Sequence, residues 1–442
     1  MKKAITFLVL VTLFATGLVA CQSTTATPTA VKQEMTTAPA VQEATTAPAT
    51  EAAPKTIKIG AFFNYSGSSA DAGEIDGSGA QFAVDWINTQ GGVKSLGGAN
   101  LELVKGDTLS DSSQAKSVVE RILSENPDLV AAVGAGGSDF VLAMGSTFEK
   151  AQIPMTHNGV SSKIGEQHYK YIFEPVPTAF GQTQIEFIQQ MLNKQLGMNI
   201  TKVGIIYEDT SYGLSVAQGD LKLAESAGLQ VAFNQSFPQY SSDVSALVTN
   251  LKSSGAQVVL PVAFTQDAKL IFDTIASMNY NPIILGGGAG FLYPSFGDAL
   301  GDAVNGVFSV ASLTGDEAMF QKNSQFKDLA SEYEKKYGYF MSERGAGSFD
   351  SVYLIWQALE KCGCTDGPTL ASTIRGLKIP TLQPSSAADG SVAFDEDGRN
   401  VNAIPIIIQW QKWDDGKYRP RTVYPESMVV GGTKVQLETS GK

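Results

Sequence analysis

Short apolar runs alternate with stretches of helical spacing along most of this chain, and they do so in two successive rounds. In the first round Thr56–Phe63, Leu101–Lys105, Leu129–Val133 and Ile153–Thr156 read as strands. Between them Ala80, Ala83, Val84 and Ile87 recur at helical spacing up to Gly91-Gly92, followed by helices at Ser112–Leu123 and Phe140–Lys150. The second round places strands at Lys202–Tyr207, Leu229–Asn234, Gln257–Pro261, Pro282–Leu285 and Gly306–Val310, and helices at Ala179–Leu196, Tyr212–Ala227, Val244–Ser253 and Gln266–Met278. Strands separated by helices pair in parallel, and parallel sheets need both faces covered. The pattern therefore predicts an α/β chain with two tandem parallel-sheet lobes. Ala318–Tyr337, Ser348–Lys361 and Thr369–Gly376 read as later helices, and Val392–Phe394, Ile404–Lys412 and Tyr418–Tyr424 as closing strands.

Open α/β sheets bind ligands in loops at the carboxyl ends of their strands. One such loop is Val133-Gly134-Ala135-Gly136-Gly137-Ser138-Asp139-Phe140. Its glycines, Gly137 among them, let a ligand approach the backbone. Ser138 is placed as a helix N-cap, and the N–H groups beyond it make a seat for an anion. The next strand runs into His157-Asn158-Gly159-Val160-Ser161-Ser162. The two turns predict N–H groups and hydroxyls facing one crevice, which is binding chemistry. Tyr212, Phe264 and Gly288 each follow a strand end of the second round and are expected to face them.

The start of the chain points to export. Met1-Lys2-Lys3 is basic, Ala4 to Ala20 is almost wholly apolar, and Leu18-Val19-Ala20-Cys21 reads as a bacterial lipobox. Residues 1–20 are thus expected to be a signal peptide, with Cys21 lipidated. Residues 21–54, dominated by Thr, Ala and Pro, are expected to form a disordered tether that would span on the order of 100 Å if fully extended. No later stretch is long and apolar enough to cross a membrane, so the membrane is reached through the lipid anchor alone. The net charge of −12 argues against nucleic acid.

Catalytic and cofactor signatures fail one by one. Gly286-x-Gly288 and Gly134-x-Gly136 lack the third glycine of a dinucleotide loop, and no phosphate loop occurs. Asp395-Glu396-Asp397-Gly398 has its glycine too early for a calcium loop and reads as a hairpin turn. His157 is open to two readings, a general base or a packed loop-edge residue, while His168 reads as surface. No nucleophile elbow is present. Cys362 and Cys364 are either paired with each other or free, and two histidines are too few for a metal site with them. No enzyme, cofactor or metal is expected.

The folded part resembles the type I periplasmic solute-binding proteins, specifically the branched-chain amino acid-binding family of ABC importers. The resemblance is carried by Ser66-Gly67…Ala70…Gly73, Gly79-Ala80-Gln81…Asn88…Gly91-Gly92-Val93, the glycine turn, Tyr212-Gly213, Ser348-Phe349-Asp350-Ser351-Val352 and Phe394-Asp395…Gly398. It implies a lobe of residues 55–176 plus 312–379, a second of 177–311 plus 380–428, and a tail, 429–442. The chain would cross between lobes near Glu174–Pro177, Val310–Thr314 and Ile379–Pro384. It implies that Ser138 and Ser161, with Gly137, Gly159 and Val160, hold a ligand carboxylate, and that Phe264 covers the ligand. The implied protein is an extracytoplasmic, lipid-anchored monomer that serves ABC permease subunits; the same fold also serves ligand sensors that report to a separate receptor or kinase. Two carboxylates that hold the amine of an amino acid in this family are missing here, where the chain has Thr178–Gly181 and Gly288. Asp139, Glu174, Asp209 or Asp267 would have to substitute, unless the ligand is not a standard α-amino acid. Arg344 reads either as a contact for a second anionic group or as a solvated surface side chain.

Overall fold

The computed structural model describes residues 56–314, 326 and 328–437. The signal segment, Cys21, the tether, the start of the helix expected at Ala318 and residues 438–442 lie outside them. The chain opens with β1 (Ile57–Phe63), α1 (Ala70–Thr89), β2 (Leu101–Asp107), α2 (Ser112–Glu125), β3 (Leu129–Gly134), α3 (Ser138–Ala151), β4 (Met155–His157), the single turn α4 (Ser162–Gly165) and β5 (Ile172–Phe173). These strands form one sheet in the order β2-β1-β3-β4-β5, parallel throughout.

The chain then passes into a second lobe. This begins with α5 (Phe180–Glu186), which continues through Phe187–Gln195 in wider turns, as in the bond from Leu196 N to Met191 O. It goes on with β6 (Lys202–Glu208), α6 (Ser211–Ser226), β7 (Gln230–Phe237), α7 (Ser245–Ser254), β8 (Val258–Val262), α8 (Thr265–Ser277), β9 (Ile283–Gly286), α9 (Pro294–Leu300) and β10 (Phe308–Ala311). The chain returns to the first lobe in α10 (Leu329–Tyr337), α11 (Glu343–Cys362) and α12 (Gly367–Arg375), then closes the second sheet with β11 (Ile406–Lys412) and β12 (Tyr418–Tyr424). That sheet runs β12-β11-β10-β9-β8-β6-β7, and only β11 and β12 are antiparallel to their neighbours. Both lobes thus repeat one strand order, 2-1-3-4-5 and 7-6-8-9-10. Each reverses winding between its first and third strands, where a crevice opens at the carboxyl edge.

The first lobe is organised by a close helix crossing. A Cβ on Gly79 would stand 2.0 Å from the Gly345 carbonyl oxygen, so α1 and α11 meet backbone to backbone there. A Cβ on Gly73 would meet Asn64 O at 1.9 Å. These glycines, poor helix formers, hid the first turns of α1 from the helical pattern, yet contact requires them. Beside the crossing, Phe82, Trp86, Phe349, Tyr353 and Trp356 pack edge to face or tilted.

Several expectations shift. The third passage is not at Ile379–Pro384. Leu382 and Val392 are buried in the first-lobe core, Phe394 packs on Phe173, and Glu174 N bonds Gly398 O at 2.8 Å. The chain therefore stays on the first lobe until after Asn400 and joins the second sheet at Ile406. Val392–Phe394 forms only isolated bridges, because its partners are loop segments at Pro380 and Asn400. The expected tail begins too early: Gln436 N bonds Gln409 Oε1 at 2.9 Å, and Gln411 Nε2 bonds Lys434 O at 2.8 Å. Cys362 and Cys364, left open by the sequence, are joined by a disulfide.

One buried carboxyl opposes this packing. Asp220 of α6 is fully buried against Gly181, and neither of its oxygens has a hydrogen-bond partner. Burial pushes its pKa up to about 7. A raised folded-state pKa means the contribution to stability is whole below the unfolded value and falls as pH rises through the folded one. Asp220→Asn is therefore expected to raise the melting temperature at pH 8 by several degrees, with the gain shrinking toward pH 4. Melting curves across that range test this, and a gain independent of pH would contradict it.

Candidate functional site

The carboxyl edge of β3 leads into the glycine turn, and Gly137, not Ser138, caps α3. Ser138 is the first helical residue, so its side chain is released from capping. Its Oγ accepts a bond from Ser161 N at 3.1 Å, which ties the turn after β3 to the turn after β4. Ser138 is 2% exposed, and with its acceptor side used its O–H remains to donate. The N–H groups of Ser138 and Asp139 open α3 and have no intrahelical carbonyl to bond. Ser161 Oγ is buried nearby and has no partner in the protein. Hydroxyls and a helix N-terminus together suit an anion.

A cavity of about 40 Å³ lies between the lobes at this point. Gly137, Ser138, Gly159 and Val160 line it from the first lobe, and Tyr212 and Phe264 from the second. An adjoining space of about 80 Å³ shares Gly137, Ser138, Tyr212 and Phe264 and is edged by Asn64, Ser69, Ser110 and Tyr240. Phe264 lies 5.4 Å centroid to centroid from Tyr212, whose hydroxyl bonds Gly287 O at 2.7 Å. Phe264 N is held by the buried Glu208 carboxyl, Oε1, at 2.5 Å. Burial pushes the Glu208 pKa up to about 9, so it is protonated at neutral pH.

Two expected residues stand behind the lining. Ser161 acts through Ser138, as above. Gly288, at φ +94°, backs the aromatic wall, since a Cβ there would lie 3.4 Å from the Phe180 ring. Sequence reasoning missed Gly136, Asn158, Val176, Phe180, Ala289, Ser312 and Glu343, all of which line the cavity. Phe180 falls within Thr178–Gly181, noted only for its missing acid, and Ala289 directly follows Gly288. Ser312 and Glu343 gave no signal, because their meaning depends on which helix faces them.

Arg344 also lines the cavity but is not a solvated surface side chain. It is 6% exposed, and its Nε and Nη2 bond Asp76 of α1 at 2.9 and 2.5 Å. Burial pushes the Asp76 carboxyl up while the guanidinium pulls it down. Glu343 Oε1 accepts bonds from Ser312 N at 2.8 Å and Ser312 Oγ at 2.6 Å. The acids nominated from sequence are engaged elsewhere. Asp139 Oδ2 accepts from Ser211 N, Asp209 from Gln239 N and Asp267 from Tyr240 N. Glu174 is buried beneath the turn at Gly398–Asn400. His157 is packed, not catalytic: burial lowers its pKa to about 3, and its Nδ1 accepts from Gly159 N at 3.2 Å. His168 is exposed beside Asp397, 2.8 Å away.

The lobes touch across the cleft through Ser69 Oγ and Tyr240 OH at 2.7 Å, Ser162 N to Ser215 Oγ at 3.0 Å, and Ser211 N to Asp139 Oδ2 at 3.2 Å.

Comparison with known proteins agrees with this architecture. A family model described as periplasmic binding protein matches residues 56–417. The Leu/Ile/Val-binding protein homolog 8 of Brucella abortus (strain 2308) is 32% identical over 390 residues, covering 86% of this chain and 93% of that protein. Among solved structures, the branched-chain amino acid transporter substrate-binding protein LivJ from Streptococcus pneumoniae, in complex with isoleucine, superposes with a TM-score of 0.69 at 23% identity. It covers 84% of this chain and 100% of that one. A solute-binding protein of an ABC transporter from Rhodopseudomonas palustris BisB5, in complex with 3,4-dihydroxy benzoic acid, superposes with a TM-score of 0.70 at 18% identity, covering 83% and 96%.

Arg344 lines the cavity with Asp76 bonded to it from behind, and Gly136 leaves room for the pair. A Cβ at Gly136 would stand 2.3 Å from Arg344 Nη2 and 2.6 Å from Asp76 Oδ2. Gly136→Ala is therefore expected to cost about 1–3 kcal/mol of stability. Denaturant titration measures it, and an unchanged midpoint would show that the pair can yield freely.

Proposed function

The chain belongs to the type I periplasmic binding proteins, in the branched-chain amino acid-binding family, and we propose that it captures a small polar ligand bearing a carboxylate and hands it to the permease of an ABC importer. The family is one of substrate-binding proteins, so the chain is a carrier and not an enzyme. The observation that carries the ligand reading is the Ser138–Ser161 pair at the N-terminus of α3. It offers the Ser138 hydroxyl, held from behind by Ser161, and free N–H groups, beside a cavity walled by Val160, Phe180, Tyr212 and Phe264. Donors without an activated nucleophile bind an anion and leave it unchanged. In this reading Gly137, Gly159 and Val160 shape the carboxylate end and Phe264 closes over the ligand, with Gly288 behind it.

Geometry supports transport in this reading. Ligand touching both lobes favours the arrangement in which they meet, by as much as its affinity differs between the two arrangements. The permease then reads the joined lobes. Cys21, behind its lipobox, would hold the protein outside the cytoplasmic membrane by a lipid, as a monomer on its tether.

Ligands that bind only the native state raise its melting temperature. A thermal-shift screen of residues 55–442 against amino acids, short carboxylic acids and aromatic acids is expected to return carboxylate-bearing hits only. Ser138→Ala should weaken the best hit by about 5- to 150-fold, the ~1–3 kcal/mol of a hydrogen bond to a charged group. Unchanged affinity would remove Ser138 from the site. Cys21→Ser in the full chain should shift the protein from the membrane fraction to the soluble one, and retention on the membrane would contradict lipid anchoring.

A further inference from the structure

Resting on the carboxylate-capture reading above, we propose that Glu343 is the anchor for a cationic group of the ligand, so that the ligand is an amino acid held at both ends, with its ammonium on the first helix turn of α11. Of the second-lobe residues that line the cavity none is acidic, and the structure brings in a carboxyl from the first lobe. Glu343 is partly exposed, and the cavity it lines also holds Ser138. Both donors of Ser312 converge on Oε1, at 2.8 and 2.6 Å, which orients the carboxyl and leaves Oε2 without a donor among the described residues.

Charge selects the partner. Arg344 and Asp76 neutralise each other at 2.5 Å, and no lysine lines the cavity. Arg344 also pulls on Glu343, but it is one cation beside two carboxyls, so the cluster lacks a second positive charge. An ammonium would supply it, and a buried ammonium in turn needs a carboxylate. A second anionic group on the ligand would meet Glu343 as a like charge.

The same geometry sets a pH dependence. Burial raises the pKa of Glu343 against the pull of Ser312 and Arg344. The other groups facing it are Asp76, which is bound to Arg344, and the hydroxyls of Tyr212 and Tyr293, both pushed above their ordinary range by burial. An ammonium at Glu343 favours its ionised form, so in the pH range where free Glu343 still carries its proton, binding releases that proton. Affinity then rises with pH through the titration of free Glu343 and levels off above it.

The test uses matched pairs in calorimetry on residues 55–442: leucine with 4-methylpentanoate, alanine with propionate, and glutamate with glutarate. The wild type should prefer the amino acid of the tightest pair by at least tenfold. Glu343→Gln should erase that preference while changing the affinity of the desamino acid less than about twofold. Proton release, read by titrating the wild type in buffers of different ionisation heat, should vanish in the variant. Glu343→Asp should retain part of the preference, and it carries the test if Glu343→Gln fails to fold. Equal losses for both members of a pair, or an unchanged preference, would overturn the proposal. Tighter binding of the desamino acids by the wild type would overturn it and leave the carboxylate reading standing. If no member of any pair binds, both fall together.

Discussion

The floor of the cleft depends on the buried pair between Asp76 and Arg344. It exists because α1 and α11 touch backbone to backbone at Gly79 and Gly345, which sets Asp76 and Arg344 opposite each other beside the crossing. Losing one partner of a buried ion pair typically costs about 3–5 kcal/mol, because the other charge stays stranded. The pair also spans chain distance: one half lies in the first helix and the other returns to this lobe only after β6–β10 of the second lobe have been laid down. Folding of the first lobe is thus completed by a segment that arrives late, and the cavity wall forms only with it.

Much of this was legible in the sequence, and the reason is periodicity. Alternating apolar runs fix strands and helices locally, so both rounds and the two glycine turns could be placed from residues alone. The meeting of Ser138 and Ser161 was legible too, because both follow directly after neighbouring strands. Even so, Ser138 is a helical residue bonded to Ser161 N, where the pattern suggested a cap. The amine end was not legible. Glu343 and Ser312 belong to different chain passages, and nothing in their neighbours announces that they meet. The third passage was misplaced for a related reason: residues 380–400 carry few apolar positions, and their attachment to the first lobe runs through single bridges and side chains, such as Leu382 N to Asp350, 3.0 Å from Oδ1.

The two turns that face each other across the cleft share a backbone signature. Ala135 and Ala289 both hold positive φ, +57° and +44°, in the left-handed region that costs a residue with a Cβ. Both sit just beyond a strand carboxyl end, and Ala135 N is pinned to Phe62 O at 2.8 Å. The tandem lobes therefore repeat strand order and also the local conformation that presents the backbone to the crevice. Binding surface is made by the same device twice, with small side chains in one lobe and aromatic ones in the other.

The bonds that join the lobe rims have a kinetic meaning. Ser69 with Tyr240, and Ser162 with Ser215, are hydroxyl and amide contacts at partly exposed positions, where water can replace either partner at little net cost. They align the rims but store almost no energy, so the lifetime of the joined state is left to whatever bridges the interior. In a molecule built this way the time spent closed is set by whatever fills the interior, and the rims themselves neither hasten nor delay opening.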